Sequence, residues 1–116
     1  RLQKYHGDKV EMMVKAWTEI WLSEKFRSWN IEYLLKNIKS PLLFIQGEAD
    51  KYGTLDQVEK TVSQVSGSAE KFIIPNIGHT PHKETPEVVL NKAIEFIIQN
   101  IDNSEYSEFI DKIMSR

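Results

Sequence analysis

Residues 41–50 read Pro41-Leu42-Leu43-Phe44-Ile45-Gln46-Gly47-Glu48-Ala49-Asp50. The block 42–45 is apolar at every position, which predicts a parallel strand that helices cover on both faces. Gly47 would then allow the chain to turn sharply, because glycine has no Cβ. The stretch therefore predicts a strand that leads within a few residues to the carboxylate of Asp50.

A second run of the same kind leads to a histidine, in the order Lys71-Phe72-Ile73-Ile74-Pro75-Asn76-Ile77-Gly78-His79. Asp50 lies five residues past Ile45, and His79 lies five residues past Ile74. If the two runs pair as parallel strands about 4.8 Å apart, equal offsets bring carboxylate and imidazole side by side. That edge of an open α/β sheet is where ligand and active sites form.

Helical patterns surround both runs. Apolar residues at spacings of three and four predict a helix from Asp8, its cap, to about residue 22, and a shorter helical stretch near 31–35. A capping box at Thr54 starts a helix that Gly67 ends. Thr85 is the predicted cap of the helix that follows the second run.

The order strand, helix, strand, helix predicts an α/β fold, in which a right-handed crossover joins two parallel strands with flanking helices. A chain of 116 residues suits one hydrophobic core. We divide it into a helical segment at 1–37, the α/β part at 38–101 and a carboxyl-terminal amphipathic helix at 102–116. The chain begins at Arg1 rather than at methionine, and we expect it to be a piece of something longer.

Composition argues against several classes of partner. The 15 Lys and Arg and the 17 Asp and Glu are interspersed, so no basic stripe indicates nucleic-acid binding. The apolar runs are far shorter than the roughly 20 residues of a membrane span. The absence of cysteine and of an amino-terminal signal pattern fits a cytoplasmic location, which we expect.

At the residues that follow the two strands, the chain resembles the carboxyl-terminal segment of the α/β-hydrolase family. The family pattern G-x-x-D matches Gly47–Asp50, and G-H-x-x-H-x-E-x-P-E matches Gly78–Glu87. The resemblance covers about 38–98 closely, and segment 1–37 looks like the end of the cap domain. It implies a partial α/β-hydrolase fold in which Asp50 is the acid and His79 the general base of a catalytic triad.

The nucleophile of that family has no counterpart in the sequence, because no G-x-S-x-G occurs. The resemblance therefore implies the carboxyl-terminal fragment of a serine hydrolase for ester, thioester or related acyl substrates. It requires no metal and no organic cofactor, and we expect the fragment to be inactive alone. The rival interpretation is a non-catalytic α/β module that binds a partner chain through its exposed sheet edge.

Three neighbouring residues offer alternatives at the same site. Glu48 is a weaker candidate for the acid, since it directly follows the glycine. His82 and Glu84 beside His79 are residue types that bind zinc, but Pro81 interrupts the spacing and no third ligand is obvious. Both alternatives are disfavoured, and the simpler interpretation places His82 and Glu84 near the start of the next helix.

An aromatic helix face and an open sheet edge complete the predictions. Trp17, Trp21 and Met13 would line an apolar substrate pocket, or would pack into the core of their own helical segment. Both interpretations stay open. An unpaired apolar strand edge invites another chain, so we expect either a homo-oligomer or pairing with a missing amino-terminal half.

Overall fold

The computed structural model describes residues 1–101 and 103–115, and the chain divides into two compact units, Arg1–Ile31 and Glu32–Arg116. The first unit is helical. Its elements are α1 (Leu2–His6), a 3-10 turn (Gly7–Lys9), α2 (Val10–Trp21) and α3 (Glu24–Arg27).

Two details of the first unit differ from the prediction. Asp8 lies inside the 3-10 turn, and α2 begins after Lys9 with no side-chain cap, so the predicted cap is wrong. Helix α3 was not predicted, although Ser23 caps it by accepting a hydrogen bond from the N–H of Phe26 at 3.3 Å.

The second unit carries the sheet. Its elements are a 3-10 helix (Glu32–Asn37), β1 (Leu42–Gly47), α4 (Leu55–Gln64), β2 (Ala69–Ile74), α5 (Pro81–Glu84), α6 (Pro86–Asn100) and α7 (Asn103–Met114). The two strands pair in parallel, as predicted. The ends of the predicted segment 102–116, Asp102 and Arg116, lie outside the described residues.

The register of the sheet contradicts the equal-offset argument. Ile45 pairs with Phe72, and Ile74 pairs with Gly47, so Ile45 and Ile74 are not partners. Measured from the last pair, Asp50 follows by three residues and His79 by five. The longer second connection must fold back if the two side chains are to meet.

Few residues in the described part of the second unit are fully buried. Among the described residues, the buried ones are Gln46, Gly47, Val58 and Ile74. Residues 42–45 of β1 are only half-buried, and the prediction of a strand covered on both faces is wrong for this chain. Two strands and their helices offer too little surface to enclose both faces of the sheet.

Helix α4 ends before the predicted glycine. Its last residue is Gln64, and the N–H of Gly67 donates to the carbonyl of Ile38 at 3.0 Å. A Cβ at position 67 would lie 2.4 Å from the carbonyl oxygen of Lys39, so close backbone approach requires the glycine. Gly67 thus fixes a chain crossing rather than the helix end.

Two predicted caps occupy the right positions without making the expected bonds. Thr54 precedes α4 and Thr85 precedes α6, as predicted, but neither side chain accepts a capping hydrogen bond. The first-turn N–H groups of both helices therefore lack the side-chain acceptor that the sequence pattern predicted.

Helix α6 has two different faces. On one, Lys92 is 15% exposed at its side chain, pairs with Glu70 and lies 5.5 Å from the ring centroid of Phe72. The other carries large apolar side chains that are 46–59% exposed, namely Leu90, Ile94, Ile97 and Ile98. Within the described residues, no helix combines the length and apolar character needed to cross a membrane.

Candidate active site

Asp50 is held by a tight turn at the end of β1. Its N–H donates to the carbonyl of Gly47 at 3.2 Å, and its Oδ1 accepts from the N–H groups of Tyr52 at 2.8 Å and Gly53 at 3.0 Å. The Asp50 side chain is only 7% exposed. Such local bonds between an aspartate and the following backbone fix the direction of the carboxylate.

Gln46 supports this turn. No role was predicted for this residue. The side chain is buried, and its Nε2 donates to the carbonyl of Gly53 at 2.9 Å. It thereby ties the far end of the turn back to the strand. The signal was available, since a polar residue that interrupts an apolar run must find a hydrogen-bond partner if it is buried.

The connection that carries His79 folds back over the end of β1. Asn76 adopts a left-handed backbone with φ of 60°, a conformation that asparagine tolerates better than most residues. The N–H groups of Glu48 and Ala49 then donate to the carbonyls of Ile74 and Ile77, both at 2.9 Å. The connection to His79 is two residues longer than the connection to Asp50, and these hydrogen bonds hold it folded back so that the two side chains can meet.

Gly47 makes the fold-back possible. A Cβ at this position would lie 2.1 Å from the carbonyl oxygen of Ile77 and 2.2 Å from that of Gly78. Gly47 is the last residue of β1, and the predicted turn starts from it, since its carbonyl accepts from the N–H of Asp50 at 3.2 Å. Its function is to let two backbone segments touch.

The predicted juxtaposition of Asp50 and His79 is confirmed. Nδ1 of His79 lies 3.1 Å from Oδ1 and 3.0 Å from Oδ2 of Asp50. The rings of Tyr52 and His79 meet edge to face, with centroids 5.0 Å apart. Asp50 rather than Glu48 contacts the imidazole, while the His79 side chain stays 57% exposed.

The electrostatics of the pair define its protonation pattern. The hydrogen bond with His79 lowers the pKa of Asp50 below its ordinary 3.8, and the N–H groups of Tyr52 and Gly53 add to this, while burial opposes it. At neutral pH the carboxylate is ionised and can only accept hydrogen bonds. Nδ1 of His79 therefore carries a proton, which leaves Nε2 of the neutral ring free to accept one.

Glu84 is bonded to the loop that carries His79. Its Oε2 accepts from the N–H of Gly78 at 2.8 Å, and its Oε1 accepts from the N–H and Oγ1 of Thr80, each at 3.2 Å. The bond from Gly78 is the main cause that lowers the pKa of Glu84, and the nearby charge of Asp50 opposes it. In the described part of the chain, no three His, Cys, Asp or Glu residues are grouped as metal ligands.

The three predicted pocket residues lie in the first unit, where they line two depressions. Trp17 and Trp21 line one, with ring centroids 6.4 Å apart, and Met13 lines another. The two tryptophans are 58% and 55% exposed, so they are not packed into a core of this unit. A role in substrate binding stays a prediction.

Comparisons with known proteins support the fold. No family model matches the chain, and no curated protein matches it. Among solved structures, it matches the crystal structure of a His-tagged serine hydrolase involved in carbazole degradation, the CarC enzyme, with a TM-score of 0.62 and 23% identity.

The match covers 83% of this chain and 37% of that chain, so the chain spans little more than a third of the enzyme's length. At this identity the likeness concerns the fold alone. In fold, the two parallel strands and their flanking helices are therefore similar to part of a serine hydrolase of the α/β-hydrolase kind.

Proposed function

We propose that this chain supplies the acid and the histidine of the catalytic triad of an α/β-hydrolase-type serine hydrolase, as the carboxyl-terminal portion of that enzyme. The observation that carries the proposal is the hydrogen bond from Nδ1 of His79 to Asp50, at 3.0 Å. The rest of the imidazole is exposed. The likeness in fold to a serine hydrolase supports it. Esters, thioesters and related acyl compounds are the substrate class.

In this scheme, Nε2 of His79 takes the proton from a serine hydroxyl as the serine oxygen attacks the acyl carbonyl. Asp50 holds the ring in the required tautomer and stabilises the imidazolium. Nε2 then returns the proton to the leaving group, whose bond to the acyl carbon breaks. Water repeats both steps to release the acid and restore the serine. No metal or organic cofactor takes part.

The serine and the oxyanion-hole donors come from sequence outside these 116 residues. The proposal therefore expects a strand, a G-x-S-x-G turn and a helix in the coding sequence before Arg1. It also expects the 116-residue chain alone to be inactive toward acyl substrates.

The test uses the full-length protein with an ester panel and a fluorophosphonate that labels activated serines. His79→Ala should lower kcat/KM and the labelling rate by several powers of ten, because the serine loses its base. Asp50→Asn should lower both by a similar order, because an amide favours the wrong tautomer.

His82→Ala is the matched control, since it removes an exposed histidine three positions further along the chain. It should leave both rates within about twofold of the wild type, as expected for a surface change. Unchanged turnover in His79→Ala would reject the assignment, as would an upstream sequence without a nucleophile.

A second function is a non-catalytic module that binds a partner chain through the open edge of the sheet. The half-buried β1 and the exposed apolar face of α6 favour this candidate. The occupant would be the amino-terminal half of the same protein or a second copy of the chain. Light scattering at tens of micromolar would oppose the module if it found a monodisperse monomer. A stable complex that survives His79→Ala without any hydrolytic activity would support it.

A further inference from the structure

The loop that carries His79 is fixed from both sides by one carboxylate. Glu84 accepts the N–H of Gly78, directly before the histidine, and the N–H and hydroxyl of Thr80, directly after it. The two oxygens divide this work, since Oε2 takes Gly78 and Oε1 takes Thr80. An ionised carboxylate suits the task because it can accept several bonds at once.

The geometry around Glu84 leaves its carboxylate little freedom. Helix α5 returns the chain toward the loop, and the N–H of Glu84 donates to the carbonyl of Thr80 at 3.0 Å. Glu84 and Thr80 are therefore joined through both backbone and side chain. A Cβ at position 78 would lie 3.0 Å from Oε1 of Glu84. The absence of a side chain at Gly78 therefore lets the Glu84 carboxylate approach the N–H of Gly78.

We infer that Glu84 is a positioning residue for His79, which holds the flanking backbone so that Nδ1 stays on Asp50. The Asp50 turn fixes one partner of the pair, and Glu84 fixes the other. Bonds to a charged acceptor are stronger than neutral ones, which suits a loop that carries an exposed side chain. The catalytic importance of this clamp rests on the proposed function, whereas the clamp itself can be measured without any activity.

The test is nuclear magnetic resonance on the isotope-labelled 116-residue chain at neutral pH. In the wild type, the ring nitrogens of His79 should report the tautomer with the proton on Nδ1. Glu84→Ala should shift the ring toward a mixture of tautomers and speed amide exchange at Gly78 and Thr80 by roughly tenfold or more. A merely structural role would change the melting temperature without changing the tautomer.

Two further variants keep the test decisive. Glu84→Gln retains one carbonyl acceptor, so one of the two amides should stay protected and the tautomer should change less than in Glu84→Ala. If Glu84→Ala does not fold, the result for Glu84→Gln decides. Glu87→Ala removes another first-turn glutamate and should leave the spectrum of His79 unchanged.

An unchanged His79 tautomer together with unchanged exchange at Gly78 and Thr80 in Glu84→Gln would overturn the inference. That outcome is distinct from a failure of the proposed function. A full-length protein without hydrolytic activity would leave the resonance results as they are.

Discussion

The two turns that form the candidate site hold their side chains by different means. Asp50 follows its strand by three residues and is fixed by the next N–H groups along the chain. His79 follows by five, through a left-handed residue, and depends on a carboxylate from α5. A short connection can be specified locally, while a longer one needs support from outside itself.

The two turns also differ in their exposure. Asp50 is almost enclosed and His79 is more than half exposed, at 7% and 57% of their side chains. An enclosed acid keeps a fixed direction, and an exposed imidazole leaves Nε2 accessible to a reacting group. This difference in burial fits the proposed roles of Asp50 as the acid and His79 as the base.

The largest expected effect comes from a substitution at Gly47, where the backbones of the two turns are in contact. Gly47→Ala places a methyl group about 2 Å from two carbonyl oxygens of the returning loop. Backbone atoms cannot rotate away as a side chain can, so we expect a loss of about 3 kcal/mol or more in the free energy of unfolding. Urea unfolding followed by circular dichroism measures it.

Gly53→Ala is the control for this substitution. A Cβ at position 53 would meet side-chain atoms of Asp50, Gln57 and Gln46 at 3.2–3.4 Å, which requires them to move by only a few tenths of an ångström. The loss should stay below about 1 kcal/mol, as for a mild overpacking. Equal losses for the two variants would contradict the proposed difference between backbone and side-chain contacts.

Acid titration tests both turns, because each turn is held by its own carboxylate. The pKa values of Asp50 and Glu84 are lowered from ordinary values of 3.8 and 4.5. A lowered folded-state pKa contributes stability that is complete above the ordinary value and is lost as pH falls through the folded value. Both contributions should therefore be complete at neutral pH and should be lost progressively as the pH falls below about 4.

The measurement is the free energy of unfolding between pH 7 and pH 3 for the wild type and for Asp50→Asn with Glu84→Gln. The double variant should lose less stability than the wild type across the acid limb. Parallel curves would show that neither carboxylate is coupled to folding.

The smallest expected effect concerns the left-handed residue of the longer connection. Asn76→Ala should lower the free energy of unfolding by about 1 kcal/mol, because alanine tolerates positive φ poorly. Asn76→Gly should stay within a few tenths of a kcal/mol of the wild type. Thermal unfolding of both variants checks the order, and an equal loss in both would assign the effect to the asparagine side chain.

The sequence predicted the elements that depend on local pattern. The apolar runs identified both strands and their parallel pairing, and the G-x-x-D and G-H positions identified the pair that meets at 3.0 Å. Equal offsets do not explain the pair, because Asp50 follows the last strand pair by three residues and His79 by five. Register depends on contacts between strands and on the fold of the connections, which spacing along one chain does not report.

Side chains that act on distant backbone were harder to predict. Glu84 was considered only as a disfavoured zinc ligand or a residue near a helix start, and Gln46 was given no role, yet each fixes a turn of the site. The position of Gln46 at the end of an apolar run indicates that it needs a hydrogen-bond partner, but the sequence does not show which backbone group that partner is. The Thr54 and Thr85 caps illustrate the converse, since their positions were right and their bonds are not formed.

The scarcity of buried residues has a consequence for how the chain denatures. Unfolding exposes little new apolar surface when residues such as Leu90 and Ile98 are already 59% and 56% exposed. The urea m-value and the heat-capacity change both scale with newly exposed surface. The isolated chain should therefore melt over a broad range, and any partner that covers α6 and β1 should sharpen the transition as it raises the midpoint.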